Sequence, residues 1–142
     1  MGQYHLLVNV DKREYLNPRS LALGVKQWEH SSHPEFPMAG SLADAMYLLT
    51  MTSPARGGGD MPATEISGRW AGDRVMIVGD YTEDADLPAH YMGSDLYNQA
   101  QRGYTEIGEE VKKAFTVVYG IEWEIDDQYG VLKRRVKEAV SA

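Results

Sequence analysis

The segment QYHLLVNVDKREYLNP, residues 3–18, alternates in a way that predicts the first pair of strands. The even positions form one predicted face, with Tyr4, Leu6, Val8 and Val10. The odd positions form the other, with His5, Leu7 and Asn9. A period of two is typical of a β-strand, so we predict a strand over Gln3–Val10. A tight turn at Asp11-Lys12 then leads into a short second strand through Tyr15-Leu16. Asn17-Pro18 ends this strand, because proline has no N–H to donate to a sheet.

The segment TEISGRWAGDRVMIVGDY, residues 64–81, predicts a second hairpin in the middle of the chain. One strand covers Glu65–Trp70, a turn follows at Ala71-Gly72-Asp73, and the return strand covers Arg74–Gly79. A short turn in which Gly lies beside Asp is a strong hairpin signal. The return strand has two apolar faces, formed by Val75 with Ile77 and by Met76 with Val78. We therefore expect a central strand that is covered on both sides.

Five further segments have the spacing of apolar residues that predicts helices, in residues 20–32, 41–51, 94–103, 105–120 and 126–140. Ser20, Ser41 and Thr105 are the predicted N-caps, and Asp44 completes a capping-box pattern with Ser41. Gly120 is a predicted C-terminal stop. A brief strand, IEWEI, precedes the last predicted helix.

Together these elements predict an α+β fold. We expect a small antiparallel sheet built from the N-terminal hairpin and the central hairpin, packed with about four to five helices. Strands do not alternate regularly with helices, so a doubly wound parallel sheet is not expected. No linker divides the chain, and residues 1–142 are predicted to form a single domain.

Composition limits the possible chemistry. The chain has 142 residues, a net charge of −7 and no cysteine. The lack of cysteine excludes disulfides, cysteine-bound zinc, iron–sulfur clusters and thiol catalysis. The negative charge argues against broad binding to nucleic-acid backbones. The sequence has no apolar run long enough to span a membrane and no signal-peptide pattern, so we expect a cytoplasmic protein without a cofactor.

Three stretches together resemble a family of small proteins. They are MGQYHLLVNVDKREYLNP at residues 1–18, ARGGGD at residues 55–60 and GRWAGDRVMIVGDY at residues 68–81. In this order they are similar to proteins of actinobacteriophages and some bacteria, mainly over residues 1–28 and 56–81. The resemblance implies a phage or phage-derived origin and hence the host cytoplasm. It implies no activity.

The run Arg56-Gly57-Gly58-Gly59-Asp60 supports two interpretations. A P-loop needs a strand before its glycines and a lysine with Ser or Thr after them, and neither occurs here. Consecutive glycines can still expose backbone amides to an anion, and Arg56 can bind phosphate or carboxylate with two hydrogen bonds. The alternative, which the sequence favours, is a mobile connection between two elements.

The turn Trp70-Ala71-Gly72-Asp73-Arg74 also supports two interpretations. Asp and Gly suit the backbone of a tight turn, while Trp and Arg can pack across a hairpin. Alternatively the turn is a recognition tip, since Trp and Arg often anchor partner surfaces. The sequence favours turn chemistry and leaves recognition open.

Carboxylates and histidines do not form a recognisable metal or catalytic pattern. The acidic segment DYTEDAD, residues 80–86, does not have the spacing of an EF-hand loop. The pair His30-x-x-His33 does not match the HExxH pattern of zinc enzymes, and His5 and His90 stand alone in the sequence. No G-x-S-x-G nucleophile motif occurs. We therefore predict no metal site and no catalytic residue.

These observations predict a small phage-type accessory protein that binds a host or phage protein, or a small anionic ligand. The predicted contact residues are Arg56, Gly58, Asp60, Trp70, Asp73 and Arg74, with Lys12, Arg13 and Tyr81 nearby. In this hypothesis Arg56 and Arg74 hold an anionic group and Trp70 supplies apolar area. One alternative is an enzyme for a phosphorylated or nucleotide-like substrate, with Asp60 or Asp80 as general base or cation ligand. A second alternative is a virion structural component.

Overall fold

The computed structural model describes residues 2–31 and 39–136, and these contain two sheets and four α-helices. The strands are β1 (His5–Asn9), β2 (Glu14–Leu16), β3 (Val75–Gly79), β4 (Thr105–Glu106), β5 (Ile121–Ile125) and β6 (Leu132–Val136). The α-helices are α1 (Gln27–His30), α2 (Leu42–Thr50), α3 (Leu96–Gly103) and α4 (Gly108–Tyr119), and 3-10 helices cover Pro18–Leu21, Asp84–Asp86 and Ala89–Tyr91. This mixture agrees with the predicted α+β class. None of the described helices has the length and apolar character that a membrane span requires.

The N-terminal hairpin is confirmed. Strands β1 and β2 pair antiparallel, with Leu7 opposite Leu16 and Asn9 opposite Glu14. The side-chain oxygen of Asn9 accepts the backbone N–H groups of Asp11 and Lys12, both at 2.9 Å, and so closes the turn. The larger sheet has the order β3-β1-β2-β4, in which only the β2–β4 pairing is parallel.

Strand β1 separates two apolar cores, because its two faces bury different side chains. Leu7 packs into the larger core with α2, α4 and the turn segment of residues 65–73. Leu6 and Val8 pack into a smaller core against α3. All five residues of β1 are buried, so β1 is the strand that is covered on both sides. The sequence assigned that position to β3, which instead lies at an edge of the sheet.

The predicted central hairpin is wrong, because residues 65–73 form a series of turns and not a strand. The N–H of Gly68 donates to the C=O of Leu48 at 3.0 Å, and the N–H of Trp70 donates to that of Leu49 at 2.7 Å. These carbonyls belong to the last turn of α2, where the helix itself supplies no partners. Gly68 has a φ of +75°, which a regular strand does not allow. Strand β3 therefore pairs with β1 and not with residues 65–70.

The predicted final helix is also wrong, since β6 pairs with β5 as a separate antiparallel hairpin. Arg135 binds Glu122 across the strands at 2.8 Å, and the Arg134 guanidinium lies 5.1 Å from the ring centroid of Trp123. Gly130 has a φ of +63° in the connecting turn. These cross-strand contacts stabilise the paired strands over a helix. The end of the predicted helix, residues 137–140, lies outside the described residues.

Helix ends agree with the sequence where the contacts are local. Asp44 N–H donates to Ser41 Oγ at 3.2 Å and Ser41 N–H donates to Asp44 Oδ2 at 3.0 Å, so the capping box of α2 is confirmed. Gly120 ends α4 with a φ of +68°, as predicted. The predicted caps Ser20 and Thr105 are wrong. Ser20 lies within the first 3-10 helix, and Thr105 belongs to β4.

Candidate functional site

The structure separates the predicted contact residues into four places. The first is the turn between β1 and β2, the second the larger core, the third an exposed loop and the fourth the far end of β3. Lys12 and Arg13 lie in the β1–β2 turn, and Asp73 and Arg74 pair with residues of this turn from the start of β3. Trp70 lies in the larger core. The exposed loop contains Arg56, Gly58 and Asp60, and Tyr81 follows β3.

The charges around the β1–β2 turn are paired with one another. Lys12 forms an ion pair with Asp73, which also accepts from Asn9 Nδ2 at 2.9 Å. Arg74 binds Asp11 through Nε at 2.9 Å and Nη2 at 2.6 Å. The hydrogen bonds from Arg74 lower the pKa of Asp11, and those from Lys12 and Asn9 lower the pKa of Asp73. These two cations and two carboxylates balance, so the cluster is a weak attractor for an anionic ligand.

Arg13 and Tyr81 are both exposed, at opposite ends of the sheet. Arg13 has a φ of +54°, and its C=O accepts the N–H of Thr105 at 3.0 Å where β2 begins to pair with β4. Tyr81 follows β3, while Arg74 precedes it. Arg13 and Tyr81 therefore do not share one contact region with each other.

Trp70 is fully buried in the larger core, so the prediction that it supplies exposed apolar area is wrong. Its Nε1 donates to Glu14 Oε1 at 2.8 Å, and Arg69 Nε donates to the same oxygen at 3.1 Å. Burial raises the pKa of Glu14, but the hydrogen bonds from Arg69 and Trp70 outweigh this effect and leave the pKa below its usual value. A buried indole needs an acceptor for its N–H, and Glu14 provides it.

The glycine run is an exposed turn that is closed by its own aspartate. Asp60 Oδ2 accepts the N–H groups of Arg56 at 2.9 Å and Gly57 at 2.8 Å. These are two of the amides that a bound anion would need, and the carboxylate of the same loop already occupies them. Gly59 has a φ of +86°, a conformation that favours glycine. Gly58 does not have a positive φ, and a Cβ added there would have no atom within 4 Å.

The carboxylates of the enzyme hypothesis do not converge. Asp60 lies in the glycine loop and Asp73 beside Lys12, while Asp80 lies beyond β3, where it accepts the N–H of Tyr4 at 2.9 Å. No three His, Cys, Asp or Glu side chains in residues 2–31 and 39–136 are placed to hold a metal ion. The second histidine of the pair His30-x-x-His33 lies outside the described residues.

An apolar groove of about 540 Å³ lies beside the edge strand β3. It is lined by Gln27, Trp28, His30, Ser31, Leu42, Ala43, Met46 and Ile77. Ile77 from β3 is 50% exposed and Trp28 from α1 is 61% exposed, so apolar area is open to solvent here. The sequence predicts none of these lining residues as a contact residue.

His30 is the distinctive polar group of this groove. Its ring is 2% exposed, and neither ring nitrogen has a hydrogen-bond partner among the described residues. The ring of His5 lies edge-to-face with it at a centroid distance of 6.0 Å. Burial, and to a lesser extent the proximity of His5, lowers the pKa of His30 to about 4. His30 is therefore neutral near pH 7 and presents one donor and one acceptor.

A larger depression, of about 780 Å³, lies between residues 17–24 and the turn of the β5–β6 hairpin. Arg19 is the one charged side chain among its described lining residues, and the rest are small, apolar or amide side chains. It contains none of the predicted contact residues and no buried polar group without a partner in the described part of the chain. The groove beside β3 is therefore the stronger candidate site.

The backbone of β3 alternates between bonded and open positions. The hydrogen bonds that set this alternation are Val10 N–H to Arg74 O at 3.1 Å and Asp80 N–H to Tyr4 O at 3.0 Å. Directly bonded pairs recur at every second residue of an antiparallel ladder, so Met76 and Val78 point their backbone groups toward β1. Val75 and Ile77 point theirs away from β1, where no described strand lies.

No protein-family model, curated protein or solved structure matches this chain. The resemblance to actinobacteriophage proteins, carried by residues 1–28 and 56–81, therefore stays a prediction.

Proposed function

We propose that this protein acts by binding a partner protein, whose apolar side chain enters the groove beside β3. The observation that supports this most is the buried imidazole of His30, which lies at an apolar groove and has no hydrogen-bond partner among the described residues. A buried polar group without a partner is unfavourable, so a bound group that hydrogen-bonds to it gains affinity. The apolar walls formed by Trp28, Met46 and Ile77 add the burial of apolar area.

Binding explains the arrangement of charges better than catalysis does. A reaction on a phosphorylated substrate needs cations and carboxylates at one place. Asp60, Asp73 and Asp80 lie apart, and Arg74 is bound to Asp11. The same pairing weakens the case for a small anionic ligand. A phage-type accessory role fits the proposal and is motivated by the sequence resemblance alone.

The test is a selection of peptides that depend on the groove. A displayed library of random dodecapeptides would be selected on the intact protein and counted on two variants. Ala43→Arg places a long side chain in the groove from an exposed position of α2. Ala89→Arg adds the same charge at an exposed position that does not line the groove, and is the matched control.

We expect peptides that bind the intact protein and Ala89→Arg equally and bind Ala43→Arg at least tenfold more weakly. The ring-nitrogen NMR shifts of His30 should change when such a peptide binds, because its imidazole gains a hydrogen bond. Peptides that bind Ala43→Arg as well as the intact protein would show that the groove is not the contact surface.

A further inference from the structure

The open part of the β3 edge is short and has a defined end. Val75 and Ile77 point their backbone N–H and C=O groups outward, away from β1. At Gly79 the edge is closed, because its N–H donates to Thr82 Oγ1 at 2.9 Å and its C=O accepts from Thr82 N–H at 3.1 Å. An added strand of about three to five residues would match this length.

Among the described residues, the edge carries none of the usual devices that prevent pairing with another chain. Sheet edges are commonly protected by lysine, proline, a bulge or a covering element. The residues Val75-Met76-Ile77-Val78 are all apolar, and the β1–β3 register runs without a bulge. An exposed edge of this composition is suited to pair with an extended polypeptide.

The edge and the groove meet at Ile77. Its backbone groups face outward, while its side chain lines the groove together with Trp28 and Met46. A strand added to β3 lies about 4.8 Å away and directs every second side chain to one face of the sheet. An extended segment therefore places a side chain in the groove, where His30 can bind it.

Charge at the two ends of β3 distinguishes the ends of such a segment. Beyond β3 lie exposed carboxylates, which are Asp80, Glu83, Asp84 and Asp86. At the other end, the charge of Arg74 is matched by Asp11. The chain as a whole carries −7. A segment with Lys or Arg beside the acidic end is favoured, because complementary charges steer encounter and set register.

We propose that an extended segment of a partner protein, apolar at alternate positions and basic at one end, adds to the sheet along β3. This inference rests on the proposed function, because one side chain of the segment occupies the groove. It adds the mode of binding and the chemistry of the partner.

The first test uses the tightest groove-dependent dodecapeptide from the selection and its singly N-methylated analogues. N-methylation removes one backbone N–H and leaves the side chain in place. We expect affinity to fall at least tenfold at two positions that are two residues apart, and to stay within about twofold at the position between them. The amides of Val75 and Ile77 should become protected from hydrogen exchange on binding.

A pair of protein variants tests the backbone hydrogen bonds between the peptide and β3 by changing the protein and not the peptide. Val75→Pro removes an outward N–H that β1 does not use, and proline is tolerated at sheet edges. Val75→Thr keeps the N–H and the branched shape. We expect at least tenfold weaker binding for Val75→Pro and a change within about twofold for Val75→Thr, with thermal unfolding as the check that both variants fold.

The outcomes separate this inference from the proposed function. Groove-dependent binding that responds equally to N-methylation at every position overturns strand addition and leaves the proposed function standing. Absence of any groove-dependent peptide overturns both. A selected peptide without a basic end, or one whose affinity at low salt survives Lys→Gln substitution, overturns the charge requirement. Protection of Val75 and Ile77 that rises with protein concentration alone overturns the proposal and identifies a second copy as the occupant.

Discussion

The segment around Trp70 and the glycine loop at residues 56–60 both carry an arginine among glycine and carboxylate partners, yet their contacts differ. Arg69 and Trp70 bind the buried carboxylate of Glu14, more than fifty positions away in sequence. The exposed loop is closed by Asp60, whose carboxylate accepts the backbone N–H groups of Arg56 and Gly57 in the same loop. The long-range buried contacts therefore stabilise the fold. The short-range exposed contacts only shape a turn, so substitutions there should have little effect on the free energy of unfolding.

The largest expected effect is that of Trp70→Ala. It leaves a cavity in the larger core and removes the indole N–H that donates to Glu14, and should lower the free energy of unfolding by about 3–5 kcal/mol. Arg56→Ala should change it by less than about 0.5 kcal/mol. Urea unfolding of the two variants measures both values. Equal losses of unfolding free energy in the two variants would contradict the difference between the two regions.

Acid should act on the buried part of the molecule through His30. Its pKa is about 4 when folded and about 6.5 when unfolded, so the unfolded chain binds a proton first as the pH falls. Stability should therefore be complete above about pH 6.5 and decline toward pH 4, by about 3 kcal/mol in all. The check is the urea midpoint as a function of pH. His30→Leu should reduce the decline, to which the lowered pKa of buried His5 also contributes. His90→Leu, at an exposed position, should leave the profile as in the intact protein. Identical profiles for all three proteins would contradict this assignment.

Glu14→Ala should cost less than Trp70→Ala, because Arg69 is about a third exposed and can turn to water. We expect a loss of about 2 kcal/mol, mostly from the unpaired Trp70 N–H. Asp60→Ala, which removes the exposed carboxylate of the loop, should cost less than about 1 kcal/mol. A double-mutant cycle of Glu14→Ala with Arg69→Ala checks the assignment, and additive effects would show that the two side chains do not interact.

The smallest effects should lie within the glycine loop. Gly59→Ala should cost about 1 kcal/mol, because Gly59 has a φ of +86°. Gly58→Ala should instead stabilise the fold by about 0.5 kcal/mol, since an added methyl group meets nothing and restricts the unfolded chain. Thermal unfolding distinguishes the two signs. A loss at both positions would mean that the loop has a packing role.

The amino-acid pattern was sufficient at three places where the controlling contacts lie within a few residues. The turn closed by Asn9, the capping box of Ser41 with Asp44, and the stop at Gly120 follow from short-range hydrogen bonds and backbone conformation. The helix predicted over residues 126–140 is wrong at residues 132–136 because the pattern there is ambiguous. Leu132 and Val136 are four apart, a spacing that fits both a helix and one face of a strand, so the sequence pattern was ambiguous.

The groove and its open edge depended on contacts that no local pattern contains. Pairing of β3 with β1 joins residues about seventy positions apart, and it leaves β3 at the edge of the sheet. His30 and Ile77, which are 47 positions apart in sequence, line one groove together with residues of α2. Sequence patterns thus established the α+β class, the first hairpin, the start of α2 and the end of α4, because these arise from periodicity and neighbouring hydrogen bonds. Packing of distant elements established which strand is covered, which tryptophan is buried and where a partner can bind.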